Sequence, residues 1–90
     1  GIVPRPTSKI REKGYRGYRA AIEEAAKASN KQGAVSNAGQ AAAEIQLLCN
    51  GKNSALDMKR MLDTQFSRVT ELDAIVQYLE ILKAAGLVEY

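Results

Sequence analysis

The chain has no histidine and no tryptophan, and its 90 residues include one cysteine, one phenylalanine and two prolines. Without histidine, and with Cys49 alone, it lacks the ligand sets of the usual zinc or haem sites. The same absences exclude a Ser-His-Asp triad and a thiol–imidazole pair. No cofactor is implied. A lone thiol forms no intrachain disulfide and fits a reducing compartment, so the cytoplasm is favoured among compartments that the sequence leaves open. No apolar run approaches the roughly 20 residues of a membrane-spanning helix, and GIVPRPTSK is not a hydrophobic targeting segment. With Phe66 as the single phenylalanine, and much of the 46% hydrophobic content being alanine, the core must come from Leu, Ile, Val, Met and four tyrosines. Such a core is thin. Stability is expected at the low end of roughly 5–15 kcal/mol.

What is present is unevenly charged. Residues 1–39 carry eight Lys or Arg against three Glu, and residues 40–90 carry five against seven Asp or Glu. Gly1 to Lys13 is basic, and Pro4 and Pro6 push the residues before them out of helical space. It reads as an extended arm or linker (residues 1–13) ahead of a single domain (residues 14–90). Arg5, Lys9, Arg11, Lys13, Arg16 and Arg19 are interleaved with Tyr15 and Tyr18, a pattern that can contact phosphates and stack on bases. These eight are the candidate nucleic-acid-binding residues. The plainer reading is a solvated basic tail. GYRGYR follows no strand and lacks a phosphate-loop lysine, so no nucleotide-binding motif is present.

From Tyr15 to Ser29, Tyr18, Ile22, Ala25 and Ser29 fall on one helical face, with Asn30 and Gly33 as stop signals. Ser36 can cap a second helix, strongest over Gln40 to Cys49. Its apolar stripe is Ala41, Ala42, Ile45, Leu48 and Cys49, with Glu44 and Gln46 facing out. Asn50-Gly51 ends it. Ser54 with Asp57 three residues on is a cap-like pair for a third helix, whose buried face would be Met58, Met61 and Leu62. Phe66 and Val69 are expected in the core.

The stretch TELDAIVQYLEILKAAGLVEY has both ends marked. Thr70 is a good N-cap and Asp73 places a carboxylate in the first turn. Leu72, Ile75, Val76, Leu79 and Leu82 share one face. Gly86 stands where a left-handed residue ends a helix, and Leu87 can fold back onto Leu82. Leu87-Val88 then begin a strand, for which Ser54-Ala55-Leu56 is the pairing candidate. Three helices and a strand, after an extra N-terminal helix, make a mainly α fold with a winged-helix-like core.

LLCNGKNSALDMKRML followed by ELDAIVQYLEILKAAGLVEY resembles winged helix-turn-helix modules. Over residues 45–90 it is similar to small modules appended to bacterial zinc aminopeptidases and to the peptide chaperone of pyrroloquinoline quinone synthesis. The shared features are an apolar helix ending in Cys-Asn-Gly-Lys, a short helix, and a long helix closing on Ala-Ala-Gly-Leu-Val. The resemblance implies a winged-helix fold and an accessory role. Two departures stand against duplex recognition. No glycine-tipped hairpin follows within these residues, and the last two helices are joined by a long link.

The helix that would enter a major groove carries Glu71, Asp73 and Glu80 against Lys83, the wrong sign for DNA. The expected function is therefore noncatalytic, a protein-interaction or regulatory accessory module within a larger protein. Its partner is another protein or the parent domain. Nucleic-acid binding through the basic half is the alternative. Tyr78 and Ile81, off the main stripe, and the strand residues Leu87, Val88 and Tyr90 are the candidate protein-binding surface.

Overall fold

The long C-terminal helix is the element on which the others pack. A computed structural model describes residues 3–31, 33–35, 41–65 and 71–90. In chain order these form β1 (Arg5–Pro6), α1 (Ser8–Lys13), a 3-10 turn (Arg16–Tyr18), α2 (Arg19–Ala28), α3 (Ala41–Leu48), α4 (Ala55–Gln65), α5 (Leu72–Ala84) and β2 (Val88–Glu89). The chain is mainly α, with one small antiparallel sheet. Both α2 and α4 pack on α5, and α3 packs on α4.

Having neighbours on more than one side widens the buried arc of α5. Ile75, Tyr78, Leu79, Ile81 and Leu82 are all at most 2% exposed, more than one stripe of a surface helix would bury. This corrects the expectation that Tyr78 and Ile81 are partly exposed. Conversely Leu72, placed on the core stripe by periodicity, is 38% exposed at the first turn. The helix begins after Glu71, with Asp73 in its first turn accepting a 2.7 Å hydrogen bond from Gln77. The cap assigned to Thr70 lies outside the described residues, as do Ser36, Phe66 and Val69.

The stop signals work through backbone geometry. Gly86 has φ +76°, its N–H donates to the Lys83 carbonyl at 2.9 Å, and the Leu87 N–H donates to the Leu82 carbonyl at 3.0 Å. This is the paired bonding of a Schellman end, in which glycine removes the Cβ penalty at the left-handed position. The same pair of bonds closes α2. There Asn30, at φ +56°, donates to Lys27, and Lys31 donates to Ala26.

At the start of α4 the cap-like pair is a reciprocal capping box. The Ser54 N–H donates to the Asp57 carboxylate at 3.0 Å, and the Asp57 N–H donates to the Ser54 hydroxyl oxygen at 3.1 Å. The bond from the Ser54 N–H holds the Asp57 carboxyl below its ordinary range. Ser54→Ala is expected to lower unfolding stability by about 1 kcal/mol, measured by urea denaturation. Because the folded-state pKa of Asp57 is depressed, its contribution is present above the unfolded carboxylate pKa of about 4. It disappears as pH falls through the folded value. On α4, Met58 and Leu62 are fully buried, but Met61 is 45% exposed. Met61 follows the spacing but points away from α5.

β2 pairs with the N-terminal segment, not with Ser54-Ala55-Leu56. The register is antiparallel, Arg5 opposite Glu89 and Pro6 opposite Val88. Ser54 to Leu56 are unavailable because they cap and begin α4, the Ser54 carbonyl already accepting from the Met58 N–H. Residues 1–13 are accordingly not an extended arm throughout. Pro4 is fully buried, its carbonyl accepts from the Gly51 N–H at 2.9 Å, and Ser8–Lys13 is helical. The Thr7 N–H donates to the Leu87 carbonyl at 2.9 Å. The alternation of an antiparallel ladder then makes Pro6–Val88 a non-hydrogen-bonded pair, where a missing N–H costs no ladder bond. The Thr7 hydroxyl adds a 2.8 Å bond to the Gly86 carbonyl.

Candidate functional site

An open trough lies between the outer faces of α2 and α3, two helices joined through their neighbours. Its volume is about 870 Å³. One wall is Arg16, Arg19, Ile22 and Glu23, at the three- and four-residue steps that share a helical face. The other is Ala42, Ala43, Gln46 and Leu47, with Tyr15, Val35 and Tyr78 completing the lining. Leu47 is 71% exposed, the most exposed large apolar residue among those described.

Where the wall meets the core the polar groups are few and defined. Gln46 donates a 2.9 Å amide hydrogen bond to the Tyr78 hydroxyl, so it faces the interior of the trough and not bulk solvent as periodicity had placed it. Burial raises the Tyr78 pKa even though that bond favours the phenolate. The Tyr15 hydroxyl is buried with no hydrogen-bond partner among the described residues. Burial pushes its pKa well up, with the neighbouring Cys49 thiol adding to the effect. Cys49 is 3% exposed and donates to the Ile45 carbonyl at 3.1 Å. Burial pushes its thiol up to about 12, against a smaller opposing effect of the Tyr15 hydroxyl. A thiol so placed is a core residue held protonated.

The eight candidate nucleic-acid residues do not form one free basic surface. The Arg5 guanidinium pairs with Glu89 at 3.0 Å. A Cβ at Gly86 would lie 3.3 Å from the Lys9 ammonium, which therefore sits over the negative end of α5. Arg11 donates to the Pro6 carbonyl at 2.9 Å, and Arg19 faces Glu23 at 3.7 Å across an exposed pair. Tyr15 and Tyr18 are half-buried against the core. Lys13 and Arg16 are exposed and have no ion-pair partner among the described residues.

Of the five candidate protein-binding residues, Tyr78, Ile81, Leu87 and Val88 are buried, which corrects their assignment to the surface. Tyr90 is 38% exposed, with the Lys83 ammonium 4.4 Å from its ring centre. Of the trough lining, the sequence named Tyr15, Arg16 and Arg19 for nucleic acid and Tyr78 for a protein surface, and missed the rest because the walls come from two segments with no shared motif. One signal was legible: Leu47 is a large apolar residue off the α3 stripe.

Among the described residues no group of three or more acidic or cysteine side chains is placed to hold a metal, and no helix is long and apolar enough to cross a membrane. No family model, curated protein or solved structure matches the chain.

Proposed function

We propose that this chain is a noncatalytic protein-interaction or regulatory accessory module, of winged-helix type and part of a larger protein, that docks its partner in the trough between α2 and α3. The observation that carries this reading is the mostly apolar trough with Leu47 standing exposed at its lip. Its walls present side chains from two helices and no cluster of convergent acid, base and nucleophile. The winged-helix part of this reading rests on the sequence resemblance over residues 45–90.

Nucleic-acid binding through the basic half draws less support. Arg5, Lys9, Arg11 and Arg19 are engaged within the domain, and phosphate contacts would compete with those partners.

The test is a titration of the isotope-labelled chain, followed by amide chemical shifts. The probes are helical peptides selected on it from a display library, and single- and double-stranded nucleic acid at low salt. We expect peptide-induced shifts at Ala42, Ala43, Leu47 and Tyr78. Ala43→Trp, which fills the trough at an exposed position, is expected to abolish them without lowering the melting temperature. Peptides that perturb no trough residue, or saturable nucleic-acid binding across α1 and α2, would overturn the reading.

A further inference from the structure

We propose that the trough takes an acidic amphipathic α-helix, one whose carboxylates lie along the α2 side and nearest Arg16. The inference rests on the docking role proposed for the trough and specifies its partner.

The first argument is backbone satisfaction. The lining consists of side chains from the 3-10 turn, α2, α3 and α5, with Tyr15 and Val35 beside them, and includes no strand edge. An extended peptide in a mostly apolar trough would leave its N–H and C=O groups without partners. A helix brings its own hydrogen bonds and needs only side-chain contacts. The second argument is shape. The wall from Arg16 to Glu23 spans about 10 Å at helical rise, matching two turns of a partner helix. Ala42 and Ala43 keep the opposite wall low, so a helix axis can approach closely there. Leu47 at the lip and the half-buried Val35, with Ile22 and Tyr78 buried in the floor, offer apolar surface for large side chains at i, i+3 or i+4, and i+7.

The third argument is charge. The α3 wall carries no charged lining residue, whereas the α2 wall carries Arg16, Arg19 and Glu23 in that order. Arg19 and Glu23 are exposed and already face one another, so Arg16 is the cation left for a partner carboxylate. Glu23 at the far end disfavours a second acidic group there and accepts a lysine or arginine. The partner is thereby oriented as well as selected.

Peptides selected from a helical display library on the wild-type chain and on the exposed-site variant Arg16→Glu/Arg19→Glu test this. Wild-type selections are expected to carry Asp or Glu beside an apolar i, i+3 or i+4, i+7 pattern. Their affinity is expected to fall about tenfold on the charge-reversed chain, as the ion pair at Arg16 is lost and two new carboxylates beside Glu23 repel the partner's own. Selections on that variant are expected to turn basic. Trough-mapped peptides of neutral or basic composition, indifferent to the reversal, would overturn the acidic partner while leaving the docking site in place. Selected peptides that shift no trough amide would overturn both.

Discussion

Leu79→Ala is expected to lower unfolding stability by about 2–5 kcal/mol, the range for truncating a fully buried leucine. Leu79 is 0% exposed at the middle of α5, facing a core that includes Ile45, Met58, Leu62 and Leu82. Removing its isobutyl group forfeits the transfer free energy of the buried methyl and methylene groups. It also leaves a cavity that neighbours on three helices cannot close without moving. The low content of large aromatics makes the loss more serious, because few other side chains bury comparable area. For a thin core this removes a large part of the total. Urea denaturation with the wild type as reference measures it. A midpoint that does not move would mean that α5 presents a different face to the core.

The second large effect is alkaline. Cys49 is held protonated to about 12 in the folded chain, whereas an unfolded thiol ionises near about 8.5. Its folded-state pKa is raised, so its contribution to stability is complete below the unfolded value. It is lost as pH rises towards the folded one, because there the unfolded state binds fewer protons. Between about pH 8.5 and 10, before tyrosines ionise in the unfolded chain, unfolding stability is expected to fall with a slope approaching 1.4 kcal/mol per pH unit. Above that window the raised values of Tyr15 and Tyr78 steepen the fall in the same direction. Denaturation midpoints measured across the window should show the slope in the wild type and lose it in Cys49→Ala. An equal slope in both proteins would show that the thiol is not the group responsible.

Much of the local structure is legible in residues close together in the chain. Ser54 and Asp57 cap each other, and Asn30 and Gly86 end helices in left-handed conformations. Such signals act within four or five residues, where the backbone's own unpaired groups decide the outcome. The apolar period of α5 likewise identified Ile75, Leu79 and Leu82 as core before any partner was known. The mainly α class follows from these elements together.

Tertiary structure decided what depends on neighbours distant in sequence. Periodicity marks one stripe. How wide the buried arc becomes is set by how many elements pack on the helix, and so Tyr78 and Ile81 joined the core. Strand pairing is set by which segment has free main-chain groups. Ser54 to Leu56 had given theirs to α4, leaving Arg5–Pro6 to pair with β2 and turning part of a basic tail into a strap. The cations of that segment then found Glu89, the end of α5 and the Pro6 carbonyl, partners that composition alone cannot name. The trough belongs to this second class, since Arg16 and Leu47 share no local pattern. They share a site because α2 and α3 leave a gap between their outer faces.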